Sequence, residues 1–197
     1  MISAIVQVML FSVIPFIWWF FTARKEQSFL GWLGFQKPVV AHKGRYIMFF
    51  FLSIVVLVIP SWVIIFFYID HSLLAYNQFI GLGLAGVIPA LIYAIIQTGL
   101  SEELLFRGFL LKRLAKSFGF QVGNLVQSFL FGCVHGALLW MALPLHIILL
   151  VVLTTALAGY VMGWMNERVG GGSIVTSWSI HSFVNLMAAC LSLFQIL

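Results

Sequence analysis

Residues 101–108 read Ser101-Glu102-Glu103-Leu104-Leu105-Phe106-Arg107-Gly108, two carboxylates and a guanidinium inside a stretch whose neighbours are almost all apolar. On a helix Glu103 and Arg107 stand four residues apart with the acid N-terminal to the base, the favourable order for an ion pair on one face. Glu102 lies about 100° around the helix from Glu103, so it cannot share that partner and points elsewhere. A structural salt bridge at a polar helix end would explain the pair. The neighbouring sequence decides whether it also explains Glu102.

Outward from this stretch the chain is a series of apolar runs. Its 197 residues are 63% hydrophobic and only 8% charged, with a mean hydropathy of +1.13, far outside the range of soluble domains. An all-α, polytopic transmembrane helix bundle is the fold class this composition dictates. Apolar runs cover residues 2–22, 46–69, 79–117, 121–140, 145–166 and 173–196, which predicts six crossings, seven or eight helices if short or broken segments are counted. The first run has no positive residue ahead of it and exceeds a signal-peptide h-region, so it reads as a retained span. Residues 79–117 would measure about 58 Å as a straight helix against about 30 Å of hydrocarbon. That stretch is expected to tilt, kink or break, with Pro89 and the Gly99–Ser101 junction as the weak points. The cluster Phe29, Leu30, Trp32, Leu33 and Phe35 has the composition of a segment lying flat at the headgroups or of an anchored loop.

The ten Lys and Arg residues set orientation. Nine fall in the first, third and fifth connections and none in the second or fourth, which predicts that residues 23–45, 112–120 and 166–172 face the cytosol. The tenth is Arg107. A net charge of +5 is thereby accounted for by the lipid bilayer; no nucleic-acid motif is present. Cys133 and Cys190 both lie in apolar runs, which argues against a disulfide framework or a thiolate metal site.

The ionisable residues left inside the runs are Glu102, Glu103, Arg107, His135 and His181. Counted back from the basic ends, Glu102, His135 and His181 each lie about 20 Å deep. Asn185 stands four residues from His181 and shares its face. Ionisable groups of three spans at one level point to a functional site rather than scattered core polars. Two Glu and two His are ordinary zinc ligands, so a metal site is one reading of the cluster. Other hydrolase signatures are missing: no His-Glu-x-x-His, no Gly-x-Ser-x-Gly, and a single Asp, Asp70, in the whole chain. Cys133 is two residues from His135 and faces away from it on a helix.

Three motifs in this order resemble the CPBP family, which comprises CAAX prenyl endopeptidases and bacteriocin-processing or immunity (Abi) proteins and is also described as intramembrane glutamate proteases. They are Glu102-Glu103 with Phe106, Arg107 and Gly108; Phe131 with His135; and His181 with Asn185. The resemblance covers the C-terminal part, dividing the chain into residues 1–78, N-terminal spans and a cytosolic loop, and residues 79–197, a catalytic bundle. It implies a metal-independent endopeptidase without cofactor. Glu102 and His135 would activate water, His181 and Asn185 would stabilise the oxyanion, and Glu103 with Arg107 would support them. The implied substrate is a prenylated or bacteriocin-like peptide. Because hydrolysis needs water, the site is expected to open to the cytosolic side of the cell membrane. A non-catalytic immunity protein, scaffold or carrier would use the same polar cluster for other ends, although a carrier would more often show repeated half-domains, and none are visible.

Overall fold

The computed structural model describes residues 2–195. Met1, Leu197 and Ile196, the expected end of the last apolar run, lie outside the described residues. Among the described residues the chain is helical throughout, with seven helices: α1 Ile2–Thr22, α2 Phe29–Leu33, α3 Lys43–Tyr68, α4 Gly83–Phe118, α5 Phe120–Leu138, α6 Leu145–Val169 and α7 Ile174–Leu193. The six long ones coincide with the six apolar runs. Five of them, α1, α3, α4, α6 and α7, are long and apolar enough to cross a membrane. Large apolar side chains such as Met9, Phe21, Phe66 and Phe67 cover their outer surfaces, which only lipid would solvate at this density. The protein is a polytopic membrane protein.

The sixth, α5, has 19 residues but carries Asn124, Gln127 and Ser128, all buried. These side chains turn onto α6: Asn124 Nδ2 donates to the Tyr160 carbonyl at 2.9 Å and Gln127 Nε2 to the Gly159 carbonyl at 3.0 Å. Small residues let the two backbones approach closely enough for this. A Cβ on Gly132 would sit 2.4 Å from the Val152 carbonyl oxygen. The polarity that sets α5 apart from its neighbours is thus consumed between helices and never meets lipid. Gly119, at φ +81°, is the single residue that turns α4 into α5, a conformation that costs glycine least.

The long α4 does not break. Pro89 lies in its first α-helical turn, where a missing N–H disrupts no intrahelical bond. The helix instead widens into π-helical turns at Ile92–Leu100 and Leu104–Leu111, flanking a short α-helical step at Ser101–Glu103. Such turns close on the fifth residue and leave carbonyls free for other donors. Trp178 Nε1 of α7 takes up the Ile95 carbonyl at 2.7 Å. The Gly99–Ser101 junction is accordingly a change of helical winding, and Gly99 is the point where α7 comes close: a Cβ there would lie 2.7 Å from Ser182 Oγ.

The segment around α2 packs into the bundle. Ser28 caps its start and Gly34, at φ +82°, ends it, as glycine in the left-handed region commonly does. Trp32 and Leu33 are buried in the bundle, Trp32 against Phe109 of α4 with the Arg113 guanidinium 3.9 Å above its ring. The following residues are stitched to the turn before α7. Ile174 N donates to the Gly34 carbonyl at 3.0 Å, Val39 N to the Gly170 carbonyl at 3.2 Å, and Ser173 Oγ to the Gln36 carbonyl. Lys112 completes the seam, with Nζ 2.8 Å from Glu167 Oε1 and 2.7 Å from the Gly172 carbonyl.

Candidate active site

The α-helical step at Ser101–Glu103 turns the adjacent glutamates in different directions. Glu103 is wholly enclosed (0% exposed), as is Arg107, and Arg107 Nη1 lies 3.1 Å from Glu103 Oε1. The same oxygen accepts a hydrogen bond from His181 Nδ1 at 3.0 Å, and Oε2 accepts one from Ser177 Oγ. Ser177 is itself held by Asn166, whose Nδ2 donates to Ser177 Oγ at 2.7 Å and whose Oδ1 accepts from the Ser177 backbone N–H at 2.9 Å. A buried charge is tolerable only when it is paired and hydrogen-bonded, and Glu103 meets both conditions through α4 and α7.

Glu102, about 100° around the helix, lines a cavity of about 540 Å³. Its Oε2 has no hydrogen-bond partner within the protein; the closest basic nitrogen is His181 Nε2 at 3.7 Å. His181 therefore stands between the glutamates, its Nδ1 on Glu103 and its Nε2 toward Glu102. His135 reaches the same cavity from α5. Its Nδ1 donates to the Phe131 carbonyl at 2.9 Å, which in the neutral ring leaves the Nε2 lone pair free. Asn185 lines the cavity one turn beyond His181, its Nδ2 donating to Thr98 Oγ1 at 2.8 Å.

Phe131 ties these groups together. The Arg107 guanidinium sits 4.2 Å from its ring centroid, a cation–π contact that gains strength where water is excluded. The His135 and His181 rings pack on it at 4.5 and 6.1 Å between centroids, and Phe106 meets it edge-on at 5.0 Å. The Phe of the second motif is thus a packing hub between the ion pair and both imidazoles.

All six residues expected at the site are brought together. Sequence reasoning missed Ser177, Asn166 and Thr98. Ser177 had a visible signal, since Ser177, His181 and Asn185 recur every four residues and share one face of α7. Thr98 likewise stands four residues before Glu102. Nothing in the spacing marks Asn166, which arrives from the end of α6. Among the described residues no three His, Cys, Asp or Glu side chains converge as a metal site would require.

The cavity is lined by the second half of α3, α4 from Tyr93 to Glu102, the end of α5, α6 from Val151 to Met162, α7 from His181 to Ala188, and the connection after α3, including Leu74 and Tyr76. No residue of the connections 23–42, 112–119 or 170–173 lines it.

Residues 84–187 match the family described as type II CAAX prenyl endopeptidase, Rce1-like. The chain belongs to this family. The match spans more than half of the sequence and contains every residue of the three motifs, from Glu102 to Asn185, in agreement with the CPBP resemblance read from them. Rce1-like proteins are a CAAX-type membrane endopeptidase family, and a peptide substrate is implied at that level. No curated protein and no solved structure matches the chain.

Proposed function

We propose that the chain is an intramembrane endopeptidase in which Glu102 is the general base. The observation that carries this reading is the division of labour between the glutamates: Glu103 is saturated by Arg107, His181 and Ser177, whereas Glu102 offers an unpartnered oxygen to the cavity. A water molecule held between Glu102 and the free Nε2 of His135 gives its proton to Glu102 as its oxygen bonds to the scissile carbonyl carbon. In its doubly protonated form His181 donates from Nδ1 to Glu103 and from Nε2 to the resulting oxyanion. The second amide hydrogen of Asn185 is a further donor, and fixed donors in a dry site are the most effective kind. Collapse of the tetrahedral intermediate breaks the C–N bond, and Glu102 returns the proton to the leaving amine.

No step calls for a metal or cofactor. Family membership favours a lipidated or otherwise apolar peptide as substrate, and the bacteriocin-like class belongs to the same proposal. The test is turnover by purified, reconstituted protein of internally quenched peptides, farnesylated and plain, with a chelator present. Cleavage that survives the chelator and disappears in Glu102→Ala supports the reading. A folded protein that cleaves nothing would favour an immunity or scaffold role, and loss of activity with the chelator that zinc restores would favour a metal.

A further inference from the structure

Among the described residues, two buried side-chain oxygens on the cavity wall have no hydrogen-bond partner within the protein: Glu102 Oε2 and Tyr76 Oη. The first belongs to the proposed base, and the mechanism gives the second no role. Tyr76 stands in the connection after α3, outside the family match at residues 84–187, in a segment that carries none of the three motifs.

The segment that presents Tyr76 to the cavity is itself fixed. Ala75–Phe79 forms a short 3₁₀ turn, in which side chains three residues apart lie one above the other, so Tyr76 shares a face with Phe79. Phe79 is buried among Ala90, Ala189 and Leu193, its ring centroid 5.3 Å from that of Tyr93. The backbone is tied to the end of α7 as well: Ser192 Oγ donates to the Tyr76 carbonyl at 3.0 Å, and Gly81 N donates to the Ser192 carbonyl at 3.3 Å.

A free hydrogen sets Tyr76 apart from the serine and threonine hydroxyls of the wall. Ser61, Thr98 and Thr154 donate to the carbonyls of Leu57, Tyr93 and Leu150 at 2.7, 3.0 and 2.7 Å, and Thr155 donates to that of Val151. Each such hydroxyl has one hydrogen, and it is spent on the residue's own helix. The end of α3 and the connection after it also give the wall Ile65, Ile69, Leu73 and Leu74, whose side chains cannot hydrogen-bond. An extended peptide along this surface would leave its carbonyls unsatisfied, a costly state where water is excluded. A single neutral donor among apolar residues is how a pocket fixes a polar group of an otherwise apolar ligand.

We infer that Tyr76 Oη is a substrate-binding donor, giving its hydrogen to a backbone carbonyl that flanks the scissile one in the bound peptide. The inference rests on the peptidase reading for the ligand and on the unpartnered hydroxyl for the contact, so the two can fail separately. Tyr76→Phe deletes the hydroxyl alone. Without peptide, its unfolding temperature in detergent should equal or exceed the parent's, because an unsatisfied buried group is lost. A lower temperature would show that the hydroxyl is satisfied inside the folded chain and would overturn the inference. With the internally quenched farnesylated peptide, KM should rise about tenfold while kcat stays within about twofold, the signature of a contact made equally in ground and transition states. A fall in kcat at constant KM would place the hydroxyl on the reacting carbonyl instead and contradict the assignment. Binding is read separately by titrating the same peptide into Glu102→Gln protein with and without Tyr76→Phe. Single thioamides, weaker acceptors than amides, are then placed at each position flanking the scissile bond. One thioamide should weaken binding to Glu102→Gln and lose that penalty once Tyr76→Phe is added. Equal affinity with and without the hydroxyl, or no such position, would overturn the inference. If binding depends on the hydroxyl and the parent protein cuts nothing, the contact stands and the peptidase reading fails.

Discussion

Glu103 Oε1 and His181 Nδ1 lie 3.0 Å apart, a hydrogen bond that joins the middle of α4 to the middle of α7. The same oxygen carries the Arg107 contact at 3.1 Å, so one carboxylate fixes both a buried cation and the orientation of an imidazole. With Nδ1 held, His181 Nε2 is turned toward Glu102 and the cavity. In the proposed mechanism Glu103 acts on the site through His181, as a positioning residue.

Removing that carboxylate leaves a guanidinium enclosed without a counter-charge. Glu103→Ala should lower stability by about 3 to 5 kcal/mol, the usual cost of orphaning one member of a buried pair. Thermal unfolding in detergent measures it. A loss no larger than that of a surface substitution would mean that Arg107 finds water or another partner.

Ser177 and Asn166 should behave as one unit behind Glu103. Ser177→Ala strips Glu103 Oε2 of its donor and leaves Asn166 Nδ2 without an acceptor, a loss of about 1 to 3 kcal/mol for buried groups left unsatisfied. Asn166→Ala acts on the same chain of bonds, so the double variant should cost less than the sum by about 0.5 kcal/mol or more. Strict additivity in a double-mutant cycle would show that the relay is not coupled.

The α5–α6 interface has no room for a methyl group at Gly132, where the obstacle is the Val152 carbonyl oxygen of the facing backbone. Gly132→Ala should push the helices apart and destabilise by about 1 to 3 kcal/mol, as overpacking does, despite alanine's better helix propensity. An unchanged or raised unfolding temperature would contradict the packing.

Much of this architecture is legible in the apolar runs, because a helix in lipid must satisfy its backbone internally and so shows its length directly. The ends of α1, α3 and α6 fall within three residues of the runs' ends. The winding of α4 was not legible. A π-turn depends on a neighbour taking up freed carbonyls, here Trp178 from 83 residues away, and no local pattern encodes that. Likewise, α2 has the composition of a headgroup-lying segment, and only the space beside Phe109 explains why Trp32 turns inward. The site was legible because ionisable groups are rare in these spans. The equal-depth count placed Glu102, His135 and His181 together even though α7 starts only at Ile174, six residues after Arg168. Ser177, Asn166 and Thr98 are neutral and common in membrane helices, so nothing singled them out before the helices were assembled.

Graded losses should separate the residues around the cavity. His135→Ala removes the second acceptor for the attacking water and should abolish measurable turnover. Asn185→Ala removes one oxyanion donor and should leave a remnant some 10² to 10³-fold below the parent. Single-turnover cleavage of the quenched peptide distinguishes them. Equal, complete loss in a folded Asn185→Ala would instead point to its bond with Thr98 as a structural need of the α4–α7 contact.

The most direct measurement compares Glu102→Gln with Glu103→Gln, each assayed for thermal stability in detergent and for peptide cleavage. Glutamine at 102 keeps size and polarity but accepts no proton. Glu102→Gln should unfold at the parent's temperature and cleave nothing, while Glu103→Gln should lose stability and keep a reduced but measurable activity in the fraction that remains folded, because the glutamine oxygen can still accept from His181 Nδ1. A Glu102→Gln variant that still turns over, beside a folded but inactive Glu103→Gln, would contradict the assignment and move the base to Glu103.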